Sequence, residues 1–268
     1  MIDHNMSMLS KYKAYFESSL NISIEQIAQS NGIVVSSSVK RYVSEGLLYF
    51  TPVYAFETDN AIIVSCIPEW ENEIVELLTG IAVTDAIAKM KGFTKNRKRD
   101  ALADSHYILY GLDAPNPQIN YKNAVLLDYS HYSQYWAFCK ETHPLIYECL
   151  DTKKAQINRY YRDMVEKSIH FCVIVDGAIV SSTRSEGVPH RPKGIINLGI
   201  NTLNEHRRNG YAAATCAAFI RHNGQKGLMP IWLSTSDNIA SHSLAKKLGF
   251  RHLGNVYSLI TPLESWKA

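Results

Sequence analysis

Two short runs near the C-terminal end constrain this chain more than any other feature. Arg207-Arg208-Asn209-Gly210-Tyr211-Ala212 reads R-x-x-G-x-A after an apolar, strand-like stretch and at the head of a helical pattern. Twenty-six residues beyond Ala212 stands Asn238, followed by Ser241, His242, Leu244 and Leu248, and then by Gly249-Phe250. This second run reads as a polar turn, a short amphipathic helix and an exit into another strand. A helix that opens on Gly210 offers unpaired N–H groups and a positive dipole end. Gly210 lets an anion approach the backbone without a Cβ in the way, Ala212 keeps the first turn narrow, and Arg207 and Arg208 add positive charge. Asn238 suits a helix cap, and Gly249 a left-handed terminus. Ser241, Leu244 and Leu248 fall at i, i+3 and i+7 and are expected to face a sheet. Each run alone fits an ordinary helix start; the pair, in this order and at this distance, is specific.

The pattern around them is regular. Ala124–Leu127 reads as a strand, and residues 131–167 as helices broken near Thr142-His143-Pro144. His170–Val175 and Ala178–Arg184 read as strands joined by Asp176-Gly177, a dipeptide suited to a tight hairpin. Further strands are expected at Gly194–Ile200, Ile231–Ser234 and Phe250–Ile260, with helices from Gly210 to His222 and from Asn238 to Leu248. Earlier, Leu9–Ile27 looks helical, Gly46–Phe56 and Ala61–Ile67 look like strands around an Asp59-Asn60 turn, and Ile74, Leu77, Leu78 and Ile81 share a helical face. Pro115 and Pro117 mark a linker. The expected division is an N-terminal α/β domain over residues 1–115, of unassigned role, and a second domain over residues 119–268.

The chain has 268 residues, 46% of them apolar and 20% charged, so it carries ample material for a core. A net charge of +3 does not argue for nucleic acid. The basic stretch from Lys89 to Arg99 reads as a solvated loop. Five cysteines (Cys66, Cys139, Cys149, Cys172, Cys216) show no paired spacing, so neither a disulfide framework nor a metal site is expected. With no signal peptide and no apolar run of about 20 residues, a cytoplasmic protein with no membrane partner is expected. Glu25 to Tyr42 has some features of a helix-turn-helix, but Val34-Val35-Ser36-Ser37-Ser38 in the second-helix slot forms helix poorly.

The two runs, in this order and at this spacing, resemble the acyl-CoA site of the Gcn5-related N-acetyltransferase (GNAT) superfamily. Thr202-Leu203-Asn204-Glu205-His206-Arg207 resembles the superfamily's V-x-P-E-x-R lead-in, with Thr202 and Asn204 departing from it. The resemblance covers residues 119–268 and implies a mixed, mostly antiparallel α/β (α+β) sheet with a splayed strand pair. It implies acetyl-CoA as donor, with Arg207, Arg208, Asn209, Gly210, Tyr211 and Ala212 around the pyrophosphate. Asn238 and Ser241 would border the pantetheine, and backbone groups at Ile200 and Thr202 would hold pantetheine and polarise the thioester. The implied reaction moves an acetyl group to a primary amine of a small molecule or amino-acid derivative by direct attack.

Asn197, the polar side chain within Gly194–Ile200, would orient a water or the amine, or else is satisfied by backbone. Glu186 and His190, in the preceding loop, are the nearest titratable candidates for a base, or are solvated. The superfamily's thiolate-protonating tyrosine falls at Ala245 here, so His242, Ser243 or water would substitute. Few residues follow Tyr257, so the superfamily's last strand is short, absent or supplied otherwise. An aminoacyl-tRNA-dependent transferase and a non-catalytic acyl-CoA-binding protein are the alternatives, and a homodimer is compatible with either.

Overall fold

The structure, a computed structural model, describes residues 8–42, 49–95, 103–142, 158, 161–185 and 194–262. In chain order its elements are α1 (Lys13–Leu20), α2 (Ile24–Gln29), β1 (Gly32–Ser37), β2 (Tyr49–Glu57), β3 (Ala61–Cys66), α3 (Glu71–Leu78), α4 (Val83–Lys95) and β4 (Ala103–Leu112). Then come β5 (Ala124–Leu126), α5 (Tyr132–Thr142), β6 (Phe171–Val175), β7 (Ala178–Arg184), β8 (Ile195–Asn197), β9 (Gly199–Thr202), α6 (Tyr211–Gln225), β10 (Met229–Thr235), α7 (Ile239–Leu248) and β11 (Phe250–Pro262). A further helical stretch covers residues 161–167.

Seven strands form one sheet in the order β1-β3-β2-β11-β4-β10-β8, and four form a second in the order β5-β6-β7-β9. Among the described residues, only β1–β3 and β10–β8 pair in parallel. The mixed, mostly antiparallel architecture flanked by helices is the expected one. Period-two alternation assigns the large sheet's faces. Tyr54 and Phe56 of β2, Leu109 of β4, Ile231 of β10 and Val256 of β11 pack with α1 and α2. Their neighbours point the other way. Val53, Ala55 and Tyr257 meet Ile74 and Leu78 of α3 and Met90 of α4, while Tyr110, Trp232 and Phe250 meet α6 and α7.

Strand β4 lies between β10 and β11, pairing antiparallel with β11 from end to end and with β10 from Tyr107 to Gly111. This strand comes from before the Pro115-Pro117 linker, so one sheet interleaves strands from both sides of it. It occupies the slot beside the C-terminal strand whose occupant the sequence left open. Tyr12 sews the arrangement together. Its buried hydroxyl accepts from Leu112 N–H (2.6 Å) and donates to the Pro230 carbonyl (2.8 Å), joining β4 to β10. The linker is also pinned. Asn116 N–H donates to Leu248 O (3.2 Å), its side-chain amide donates to Lys247 O (2.8 Å), and Asp113 pairs with Arg251 (2.7 Å). These contacts use the carbonyls that the last turn of α7 leaves open.

Several expectations need correction. The Leu9–Ile27 helix is two helices broken at Asn21, in the left-handed region (φ 59°), with a Ser23–Gln26 capping box opening the second. The helix-turn-helix reading fails because Gly32–Ser37 is a strand paired along its whole length with β3. β-Branched Val34 and Val35 favour that state. Lys89, Lys91 and Lys95 sit on α4 rather than in a loop, and residues 96–99 lie outside the described residues. The Asp176-Gly177 hairpin is as expected, with φ of 49° and 79°.

Two outcomes follow from packing. Gly249 ends α7 at φ +100°, and a Cβ there would come 1.9 Å from Ala114 O. Gly249→Ala is therefore expected to lower unfolding free energy by roughly 2–4 kcal/mol in urea titrations. His170 is buried, and desolvation depresses its pKa from 6.5 to about 3. The native state binds fewer protons there than the unfolded chain, so this contribution is intact above pH 6.5. It is lost at up to about 1.4 kcal/mol per pH unit as pH falls towards 3. His170→Leu should flatten that slope in denaturant titrations between pH 6.5 and 4.

Candidate acyl-CoA site

The segment Ile195–Thr202 belongs to both sheets, and Leu198 is where it changes allegiance. Its first part pairs with β10, ending with Leu198 N–H donating to Ile231 O (3.0 Å). Its second part pairs with β7, with Leu203 N–H donating to Val180 O (2.9 Å). Backbone groups alternate sides along a strand. Since Leu203 faces β7, so do Asn201 and Gly199, and the N–H and C=O of Ile200 and Thr202 face the opposite side. That is the side on which Leu198 met β10. Yet β10 has diverged, and β9 is the last strand of its sheet among the described residues. The result is a wedge with the backbone of Ile200 and the N–H of Thr202, which make no ladder hydrogen bond among the described residues, on one wall, the C-terminal end of β10 on the other, and its mouth where α6 and α7 begin.

Both helix starts are set up differently. At α6, Gly210 is the N-cap at φ +81°, no side chain caps the first turn, and no acidic residue lies in it. A Cβ on Gly210 would meet nothing within 4 Å, so the glycine answers to backbone conformation and open space rather than to a protein neighbour. Arg208 is also left-handed, at φ 67°, a region that costs a branched side chain about 1–2 kcal/mol. The turn is held from within. Asn209 donates to the His206 and Arg207 carbonyls (3.3 and 3.4 Å), and Arg207 Nε reaches Thr202 O (3.5 Å). Thr202 Oγ1 lies 2.9 Å from Ser181 Oγ, which is 3.3 Å from Thr215 Oγ1 on α6, so hydroxyls fix β9, β7 and α6 together. Tyr211 and Ala212 are half-buried in the first turn, Tyr211 against the small-sheet core. The open amides and exposed arginine charges fit a pyrophosphate.

At α7 the cap is made by the chain itself. Asn238 Oδ1 accepts from Ser241 N–H (3.1 Å), and Ser241 Oγ accepts from the Trp232 indole N–H (2.9 Å). Leu248 is buried, and Leu244 packs on the same cluster, as the spacing implied. Next to Asn238, Ile239 is 76% exposed and forms an apolar rim that the sequence gave no reason to single out.

The candidate catalytic residues divide three ways. Asn197 is in register with Ile231 and 7% exposed. Glu186 and His190 lie outside the described residues. His242, in the first turns of α7, is half-buried. Its Nδ1 is 3.0 Å from Tyr110 Oη, and its Nε2 is 3.3 Å from the Ser236 carbonyl. A carbonyl only accepts, so Nε2 carries the proton in neutral His242 and Nδ1 accepts from Tyr110. Tyr110 is 3% exposed on β4, and burial pushes its pKa up, keeping it protonated. Ala245 is wholly buried beside it in the same cluster. Sequence reasoning missed Tyr110 because its strand lies outside the half that carries the motifs.

Residues 131–259 match the model of the GNAT acetyltransferase family. This match supports the GNAT superfamily in the C-terminal half of the chain. Among solved structures, an acetyltransferase from the GNAT family of Colwellia psychrerythraea is similar over 96% of this chain and 97% of its own, at 11% identity and a TM-score of 0.54. A GCN5-related N-acetyltransferase-like protein from Streptococcus suis 89/1591 is similar over 81% and 85%, at 16% identity and a TM-score of 0.42. AAC(6')-Iy, in complex with the bisubstrate analogue CoA-S-monomethyl-acetylneamine, is similar over 48% and 89%, at 18% identity and a TM-score of 0.40. At these identities the likeness to the Colwellia protein is one of fold, and it extends across both halves. No curated protein sequence matches the chain. Among the described residues there is no metal-ligating cluster, and no helix is long and apolar enough to cross a membrane.

The loop geometry makes one outcome specific. Arg208→Gly removes left-handed strain while adding unfolded-chain entropy, so stability should stay level or rise by up to about 1 kcal/mol. Arg208→Ala keeps the strain and should not rise. Thermal denaturation of the pair separates the backbone from the charge.

Proposed function

We propose that this chain is an acyl-CoA-dependent N-acetyltransferase that moves the acetyl group of acetyl-CoA to a primary amine of a small molecule or amino-acid derivative. The observation that carries the reading is the wedge itself. The strand edge at Ile200 and Thr202, open of ladder partners among the described residues, leads directly to the α6 terminus, which no side chain caps and which Arg207 and Arg208 flank. Pantetheine is an extended amide chain, and it would continue the hydrogen-bond ladder that Leu198 breaks off. The pyrophosphate would then meet Asn209, Gly210, Tyr211 and Ala212 at the α6 amides, with Asn238, Ser241 and Ile239 along the other rim.

In this reading the acceptor amine attacks the thioester carbonyl directly, and N–H groups at the wedge wall stabilise the developing oxyanion. The amide of Asn197 orients the amine or a water beside it. Glu186, which follows β7 in sequence, takes the amine proton, with His190 as the other candidate. His242 protonates the departing thiolate. The four described cysteines are buried and take part in no disulfide among the described residues, in keeping with a reducing compartment such as the cytoplasm. Acyl-CoA binding without turnover is the second reading, kept by Ala245, which supplies no hydroxyl.

Calorimetric titration of acetyl-CoA and CoA into the wild type and Gly210→Glu tests the site. Wild-type binding in the micromolar range is expected, with a loss of roughly 100-fold or more in the variant, where a carboxylate stands at the pyrophosphate position. Wild-type binding without CoA release across a panel of primary amines would favour the non-catalytic reading. No wild-type binding would end both.

A further inference from the structure

The Tyr110–His242 contact joins a strand outside the matched family region to the first turns of α7. The structure assigns Tyr110 as a positioning residue: it keeps His242 hydrogen-bonded in every protonation state needed to hand a proton to the leaving thiolate. This inference rests on the acyl-CoA reading of the wedge and deepens it.

A hydroxyl can donate or accept, and that is the property the site uses. In neutral His242 the Tyr110 O–H donates to Nδ1, and Nε2–H donates to Ser236 O across a long 3.3 Å. In the imidazolium both ring nitrogens carry protons. Nδ1–H now donates to Tyr110 Oη, and Nε2–H still has Ser236 O. Neither state leaves a ring nitrogen without a partner, although the ring lies half-buried against the apolar cluster around Trp232 and Phe250. The Nε2 edge is the more open one and the more weakly held, so it is the edge that can give up its proton. Tyr110 itself cannot swing away. It is 3% exposed, it is in register with Trp232, and its ring centroid lies 5.7 Å from that of His242 and 6.0 Å from that of His252.

The step balances without a further reactant. The thioester C–S bond breaks, its electron pair stays on sulfur, and the Nε2 proton of the imidazolium passes to sulfur to give the thiol. His242 is left neutral with its remaining proton on Nδ1, donated to Tyr110 Oη, and water restores the proton at Nε2. The other charged or titratable groups around the ring are Asp237 in the turn before α7, whose carboxyl is held low by Thr235 and its own backbone and only then by His242, His252 on β11, and Lys246 one turn along α7. A role that was only structural would not couple Tyr110 to the protonation of His242.

Tyr110→Phe removes one oxygen and keeps the ring. The experiment is an NMR comparison at fixed pH of histidine-labelled wild type, Tyr110→Phe and His242→Gln (the last to assign the His242 signal), each with and without CoA, alongside calorimetry with acetyl-CoA. Nδ1 loses its donor in Tyr110→Phe, so the ring nitrogen shifts of His242 should report a smaller share of the Nε2–H tautomer. Acetyl-CoA affinity should stay within about twofold, since no contact to it is lost. In wild type, CoA should move the His242 ring signals. An unchanged tautomer in Tyr110→Phe, or His242 signals that ignore bound CoA, would overturn the assignment while leaving the acyl-CoA site intact. Absence of acetyl-CoA binding in wild type would instead remove the reading on which it rests.

Discussion

The arrangement depends on a change of partner by one strand. Up to Leu198 the chain spends its backbone hydrogen bonds on β10, and from Gly199 it spends alternate ones on β7. A strand that keeps its direction while its neighbour leaves must expose backbone on the side it has lost. The candidate site is arranged around that exposed edge. α6 leaves from the end of β9, α7 leaves from the end of β10, and their N-termini therefore converge on one mouth. Neither helix needs a special sequence to reach that position; the diverging strands deliver them.

The second half was largely legible. Strands with one polar face, the φ > 0 hairpin at Asp176-Gly177, the Asn238 cap and the Gly249 terminus are all local chemistry, and local chemistry is what residue patterns encode. The R-x-x-G-x-A run was legible for the same reason: Gly210 does adopt a left-handed conformation with open space around it. Arg208 was read as a charge only, and its backbone strain had no signature beyond the neighbouring glycine.

What stayed hidden was non-local. Tyr107-Ile108-Leu109-Tyr110 is covered on both faces, so it shows no polar alternation and does not declare itself a strand. Its insertion between β10 and β11 depends on residues more than a hundred positions away. The Tyr110–His242 bond inherits that invisibility. The chemistry of α7 was sought among its own neighbours in sequence, whereas the residue that completes it arrives from the other side of the linker. Val34-Val35-Ser36 misled in a smaller way, because a glycine between two polar-apolar runs suits a turn until a parallel partner claims the strand.

The interleaved sheet also sets the order in which this protein can become itself. β2 and β4 are among the earlier strands made, yet in the finished sheet β11 lies between them. As the chain leaves the ribosome, both strands must wait, with one or both edges bare, for the last strand to be synthesised. Such edges are sites for mispairing with other chains. The long-range closure also places the molecule among slow folders. A nascent chain stalled before residue 250 would hold most of its core with β2 and β4 still unjoined, which makes β11 the latch of the large sheet.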